Sequence, residues 1–272
     1  MMFMSRYGGG RRLRAFAIAS AVVLGVGAVA FAVRAGPAPV AAQTAFVSDR
    51  LSVEVIGSGP DVVLIPGFAS SREVWRVEAE RLRATHRVHL VQLAGFAGEP
   101  WSHGDGPFVQ PMADELARYV REAGLVRPTV VGHSMGGMTA VLLAQQHPEL
   151  VGRVMSVDSL PFFSALYGPQ VTAEAARPFA DQAAAGMLAA DETSFRTQQG
   201  QSAVGLARDP ATRAAMVEWS MASDRRALAS AIREVMTTDL RPGLAAMRRP
   251  SLLRNSSGCT AASPNPWGGG SR

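Results

Sequence analysis

The sequence has no lysine, a single cysteine and no histidine beyond position 147. One cysteine, Cys259, rules out an intramolecular disulfide and any zinc site built from cysteines. It stands in a Ser/Gly/Pro-rich stretch with no base beside it, as an incidental thiol does. Without lysine, all 27 basic side chains are arginines, and against 22 acids they leave a net charge of +5. The surplus lies at the two ends. Arg6, Arg11, Arg12, Arg14 and Arg34 precede the first acid, Asp49, while Arg248, Arg249, Arg254 and Arg272 follow the last, Asp239. The body between residues 43 and 247 carries every acid and only the remaining arginines, so it is weakly acidic. A high isoelectric point of that origin does not describe a basic binding surface, and no nucleic-acid partner is expected.

With 272 residues, 47% of them hydrophobic and 18% charged, the chain can bury a substantial core as one large domain or two small ones. Residues 5–14, SRYGGGRRLR, are basic, and residues 15–33, AFAIASAVVLGVGAVAFAV, are almost wholly apolar. Basic, apolar, then small is the order of a secretory signal, and Val40-Ala41-Ala42 offers a cleavage site before Gln43. The apolar run is also long enough to span a bilayer as an uncleaved anchor. Residues 1–42 therefore read as a signal peptide or a membrane anchor, and the rest as exported (periplasmic or extracellular) or held at the membrane by 15–33. Arg11-Arg12 adds a weak twin-arginine signal.

The body alternates. Leu51–Ile56 reads as a strand closed by Gly57-Ser58-Gly59-Pro60, and Val62–Ile65 as a strand buried on both faces. Helical spacing follows over Ser71–Thr85, then a strand at Arg87–Leu93, a helix over Pro111–Ala123, a strand at Pro128–Val131, a helix at Met135–Gln146 and a strand at Val151–Val157. Strands alternating with helices predict an α/β fold, a mostly parallel sheet with helices on both faces. Residues 160–225 leave that rhythm. They are Ala-rich and helical and predict a cap over one end of the sheet. Met187, Met216 and Met221, at helical spacing there, read as core more readily than as pocket. A helix at about 225–237 and a strand opening at Pro250 return to the core. The organisation expected is a core over 43–159, a cap over 160–225, a return over 226–253 and a patternless tail over 254–272.

Gly132-His133-Ser134-Met135-Gly136-Gly137 follows the Pro128–Val131 strand and opens a helix. This is G-x-S-x-G between strand and helix. The serine must occupy a strained turn that lifts its hydroxyl off the sheet, and Gly132 and Gly136 let strand and helix approach closely there. The Met135 N–H, at the helix N-terminus, is placed to stabilise an oxyanion. A second donor is expected in Pro66-Gly67-Phe68-Ala69-Ser70, the N–H of Phe68. The alternative for each segment is a plain strand-ending turn.

With these motifs the sequence resembles the α/β-hydrolase family over roughly residues 45–253. The resemblance rests on Ile65-Pro66-Gly67-Phe68, Gly95-Phe96-Ala97-Gly98, Gly132–Gly137, His147-Pro148-Glu149, Val157-Asp158-Ser159 and Asp239-Leu240-Arg241. It implies Ser134 as nucleophile, a histidine base, an orienting acid, a small-molecule acyl substrate, and neither organic cofactor nor metal. The family order is serine, acid, histidine. Of the five histidines, only His147 follows Ser134, and it reads as a helix-terminal residue. His103, in the loop after Arg87–Leu93, is a substitute base only if that loop borders the site. Asp158 is the one candidate acid, and it also reads as a strand-ending aspartate. Asp224 and Asp239 read as helix-terminal residues. No base is identified.

Patterned sequence turns patternless within the strand opened at Pro250, as a frameshift near codon 254 would produce. The expected fold therefore lacks the last strand and helix, which would leave a sheet edge and apolar surface exposed. Three readings follow: an exported serine hydrolase of carboxylic esters or related acyl bonds, catalytically impaired here; a non-catalytic protein of the same fold that binds a small apolar ligand; and a membrane-anchored interaction protein. Ser134 argues against epoxide and haloalkane chemistry, which would need an aspartate nucleophile.

Overall fold

The computed structural model describes residues 46–247, together with the backbone of two short strands at 252–254 and 260–261. The apolar run at 15–33, the Val40–Ala42 site and Cys259 lie outside the described residues, as does most of the tail. Among the described residues no helix is long and apolar enough to cross a membrane.

Seven strands form one sheet: β1 (Leu51–Gly57), β2 (Asp61–Ile65), β3 (Arg87–Leu93), β4 (Thr129–His133), β5 (Arg153–Val157), β6 (Leu252–Arg254) and β7 (Thr260–Ala261). Their order is β1-β3-β2-β4-β5-β6-β7. From β3 across to β6 all neighbours are parallel, while β1 and β7 close the two edges antiparallel. A 3₁₀ turn (Arg72–Trp75) leads into α1 (Arg76–Leu82); α2 (Val109–Glu122) follows β3, and α3 (Met135–Gln146) follows β4. The apolar runs of β2 and β4, and the apolar residues of β3, have the reason expected of buried strands. Val62, Leu64, Val88, Leu90 and Val131 pack with Ala79 of α1 on one face, and Val63, Ile65, Val91, Leu93 and Val130 pack with α2 and α3 on the other.

The helix expected over 71–85 opens as a 3₁₀ turn. Ser71 caps it by accepting the Glu73 N–H, and the α-helical part ends at Leu82. The strand expected from Val151 begins at Arg153, because Gly152 passes so close to the Arg127 carbonyl that a side chain would not fit. Within the stretch read as patternless, Thr260–Ala261 pairs antiparallel with Leu253–Arg254.

Between β5 and β6 lie a 3₁₀ turn (Phe163–Tyr167), α4 (Ala173–Ala189), α5 (Glu192–Leu206), α6 (Pro210–Ala222), α7 (Arg225–Thr237) and the short α8 (Arg241–Leu244). The sequence marks four of these helix starts with Thr or Asp. Thr172 accepts from Ala175, Asp191 from Ser194, Asp209 from Thr212, and Asp224 from both Arg226 and Ala227. α4 packs along α7 and α5 along α6. Phe195 of α5 is fully buried, and Arg225 lies 3.3 Å from its ring centroid while donating to the Met187 carbonyl at 2.8 Å. Met187 and Met221 pack against the core, and Met216 is half-buried.

Candidate active site

The last residue of β4 is His133 and the first of α3 is Met135, so one residue turns the chain from strand to helix. That residue, Ser134, has φ 52° and ψ −121°, a left-handed conformation that costs a non-glycine residue on the order of 1–3 kcal/mol. Its neighbours hold it there. The Ser134 N–H donates to the Val157 carbonyl of β5 at 2.9 Å, and the Ser134 carbonyl accepts from Gly137 at 2.9 Å and Met138 at 3.1 Å. The glycines are a packing requirement: a Cβ on Gly132 would overlap the Gly136 backbone, and one on Gly136 would come within 2.6 Å of the Ile65 carbonyl.

The loop after β2 rests against this elbow. A Cβ on Gly67 would lie 3.2 Å from Ser134 Cβ and 3.0 Å from His133 Nδ1, so the Gly67–Phe68 backbone passes directly beside the serine. Ala69 has φ 55°, the Ser70 N–H donates to the Gly67 carbonyl at 3.3 Å, and the Ser70 hydroxyl donates to the Phe68 carbonyl at 3.1 Å. The Phe68 ring meets Phe96 edge-on at 5.7 Å. Met135 is buried at the N-terminus of α3, where the first N–H groups have no partner within the helix. Sequence-predicted Ser134, Phe68, Met135, Gly132 and Gly136 are thus brought to one place, at the carboxyl end of the parallel strands.

The histidines are not gathered there, apart from the one beside the serine in sequence. Among the described residues no hydrogen bond joins the Ser134 hydroxyl to an imidazole. His103 stacks edge-on against Trp101 at 4.9 Å and lies 3.5 Å from Asp49. His86 meets the Thr85 hydroxyl at 2.8 Å, and His147, at the C-terminus of α3, meets Arg121 at 3.2 Å. His133 borders the loop at Gly67, and its Nδ1 is enclosed without a partner. Burial holds the His133 pKa below the ordinary imidazole value, and the Asp158 carboxylate works weakly against that. Asp158 follows β5 with φ 46°, is exposed, and makes no hydrogen bond to a histidine. It is a strand-ending aspartate whose charge is felt by His133.

An acid–histidine–hydroxyl chain does exist, at the other end of the sheet, from residues that no contiguous motif brings together. His89 Nε2 lies 3.1 Å from Asp61 Oδ1, and His89 Nδ1 lies 2.6 Å from the Tyr119 hydroxyl. Arg87 pairs with the same carboxylate at 2.5 Å. Burial keeps His89 below its ordinary pKa despite Asp61, and pushes Tyr119 up to about 12. The cue becomes visible once β2 and β3 are paired: Asp61 stands opposite Arg87, and His89 lies two residues further along β3. Among the described residues no group of His, Cys, Asp and Glu side chains could hold a metal ion.

Such an elbow at the carboxyl end of a mostly parallel sheet is the arrangement of one family, and the model of the alpha/beta hydrolase fold matches residues 60–237. The chain belongs to that family. It is 35% identical over 115 residues to the pimeloyl-acyl-carrier-protein methyl ester esterase of Aeromonas salmonicida, covering 42% of this chain and 44% of that one. To the protein of the same name from Vibrio atlanticus it is 32% identical over 123 residues, covering 45% of each. The chain thus spans less than half the length of these curated relatives. Among solved structures, a thermophilic esterase from Thermogutta terrifontis superposes with a TM-score of 0.63 at 21% identity, covering 75% of this chain and 74% of that one. The enol-lactonase of Burkholderia xenovorans gives 0.62 at 19% identity, with 75% and 76% covered. At such identities the likeness concerns the fold.

Proposed function

We propose that this chain is a serine hydrolase of carboxylic esters, with Ser134 as nucleophile. The observation that carries the reading is the strained backbone of Ser134, wedged between the Gly67–Phe68 loop and the start of α3. Strain of this kind is retained where the surroundings enforce it, and it raises the hydroxyl between two sets of N–H donors. The name of the relatives, methyl ester esterase, supports an ester as the bond attacked.

In the proposed reaction Ser134 Oγ attacks the ester carbonyl carbon. The new C–O bond turns the carbonyl oxygen into an oxyanion, which accepts from the Phe68 and Met135 N–H groups. The serine proton passes to a base, the tetrahedral intermediate expels the alcohol, and the alcohol oxygen takes that proton back. Water then hydrolyses the acyl-serine by the same route. Among the described residues no imidazole is bonded to Ser134, so proton transfer is the weak step. By analogy with triad deletions, oxyanion stabilisation and binding alone leave on the order of 10³–10⁴ over water. Slow turnover is therefore part of the reading. So is export or membrane attachment through residues 15–33, supported by the basic-then-apolar order of the N-terminus.

Labelling with a fluorophosphonate tests the nucleophile. The wild-type chain is expected to label and Ser134→Ala not to; equal labelling of both would refute the assignment. A second reading, a non-catalytic binder of small apolar ligands, is favoured by a groove of about 310 Å³ lined by Tyr167, Val171, Phe179 and Met236. Absence of Ser134-dependent labelling in folded protein would move that reading to the front.

A further inference from the structure

Gln92, the penultimate residue of β3, is 3% exposed and spends its whole amide on backbone groups of two loops. Its Oε1 accepts the Arg72 N–H at 2.7 Å. Its Nε2 faces three carbonyls: Ser70 at 3.4 Å, Leu93 at 3.3 Å and Phe96 at 3.2 Å. Ser70 and Arg72 flank the end of the loop that carries Phe68, while Leu93 and Phe96 begin the loop that follows β3. Arg72 opens a 3₁₀ turn, so its N–H has no partner inside that turn and needs an acceptor from elsewhere. The Phe68–Ser70 loop has no regular secondary structure to hold it and contains a left-handed alanine, Ala69. Apolar packing of Ala69 in the core and of the Phe68 ring on Phe96 also holds the loop, while the Ser70 bonds to Gly67 and Phe68 are internal to it.

We infer that Gln92 is a positioning residue for the oxyanion site: its side-chain amide pins the Phe68-bearing loop to β3 and sets the Phe68 N–H relative to Ser134. The inference rests on the proposed role of Ser134 and Phe68, but its structural half stands apart from catalysis. A glutamine suits the task because one planar group both accepts an N–H and donates to carbonyls. Leucine fills similar space with neither function. Glutamate keeps the acceptor and, while protonated, one donor. Once ionised it faces the Ser70, Leu93 and Phe96 carbonyls with no proton to offer, and burial among such oxygens disfavours the ionised form.

The test uses the full chain as wild type, Gln92→Leu and Gln92→Glu, with two readouts: hydrogen exchange of the peptide covering residues 66–72, and the second-order rate of fluorophosphonate labelling between pH 5 and 8.5. Gln92→Leu is expected to speed exchange at 66–72 and slow labelling by about 10- to 100-fold, up to the effect of misplacing a catalytic group by about 1 Å and short of losing an oxyanion donor outright. Gln92→Glu is expected to label close to wild type at pH 5 and to fall behind it at least 10-fold by pH 8.5. A side chain that only fills space gives a variant-to-wild-type ratio independent of pH. Unchanged exchange at 66–72 in both variants overturns the inference. If Gln92→Leu fails to fold, Gln92→Glu at low and high pH decides alone. Faster exchange in variants of a protein whose labelling does not depend on Ser134 refutes the catalytic reading and leaves the loop anchor standing.

Discussion

Glu234 is expected to be among the most costly charged residues to remove, although it belongs to no ion pair among the described residues. It stands on α7, yet its carboxylate caps α2. Oε1 accepts the Phe108 N–H at 2.6 Å, and Oε2 accepts those of Val109 at 2.8 Å and Gln110 at 3.4 Å. α2 has no other provision at this end: Phe108 supplies no capping side chain and the first turn holds no acid. Phe108 and Val109 are buried, so water cannot take over their N–H groups without opening the core. A hydrogen bond to a charged group contributes about 1.5–3 kcal/mol. A carboxylate at a partly buried helix N-terminus adds up to about 2 kcal/mol. Counting two good bonds at the low end, and allowing some recovery by water at the exposed side of Gln110, Glu234→Ala should cost about 3–4 kcal/mol. For a domain of this size that is about 6–16 °C in Tm. Glu234→Gln, which keeps one acceptor but turns an NH₂ toward an N–H, should fall between. The neighbouring Arg233, 2.8 Å from Asp181 at the surface, supplies the control: Arg233→Ala should cost about 1 kcal/mol or less. Urea and thermal unfolding of the three variants measure this. A loss below about 1 kcal/mol for Glu234→Ala would refute the claim that this carboxylate is the cap of α2.

Gly200 lies inside α5 with nothing within 4 Å of where its Cβ would stand, so Gly200→Ala should stabilise the protein by about 0.5–1 kcal/mol, read as a rise in the urea midpoint with unchanged slope. His89 has its folded-state pKa depressed, first by burial, so its contribution is present above the ordinary imidazole value and is lost as pH falls below it. Wild type should therefore lose stability as pH falls below about 6.5, and His89→Gln should lose less over the same range; parallel profiles for the two would rule out His89 as the source. Asp61 adds a separate, more acidic window. Burial raises its pKa, but the Arg87 and His89 hydrogen bonds outweigh that, so its contribution is lost only as pH falls below the ordinary carboxylate range. Gly67→Ala should slow Ser134 labelling and lower Tm modestly, because the added methyl meets the His133 ring, Ser134 Cβ and the His133 carbonyl at 3.0–3.3 Å and must push the loop off the elbow by a few tenths of an ångström.

The parts of this protein that sequence makes legible are those whose cause is local. Arg87–Leu93, Met135–Gln146 and the helix at 225–237 match their expected bounds, because apolar periodicity and caps such as Asp224 act over a few residues. The elbow is legible for the same reason: the glycines, the serine and the helix start are contiguous. What stays hidden depends on pairs far apart in the chain. Glu234 and Phe108, or Gln92 and Ser70, meet only because β3, α2 and α7 share one face or one sheet end, and neither residue type stands out in its own segment. The cap is intermediate. Its helical character shows in composition, but its docking does not: the Asp224 N–H donates to Gly95 at 2.8 Å and the Ala97 N–H to the Ser223 hydroxyl at 2.9 Å, joining the α6–α7 corner to the loop after β3.

The two ends of the sheet divide between them what a serine hydrolase needs in one place. At the amino end, Asp61, His89 and Tyr119 have the connectivity of a triad, with a carboxylate on one imidazole nitrogen and a hydroxyl on the other. The hydroxyl there is a buried phenol on α2, held largely protonated and bonded to the His89 ring. At the carboxyl end the turn, the adjoining loop and the helix start are all in place around Ser134, and among the described residues no imidazole is hydrogen-bonded to it. On the proposed reading the reactive end is marked by the strained turn at Ser134 between strand and helix, and not by the connectivity of hydrogen bonds. A residue type is easily matched by chance in a core that must satisfy its buried polar groups. A non-glycine residue at φ 52° between a parallel strand and a helix is costly, and folding alone gives no reason to keep it.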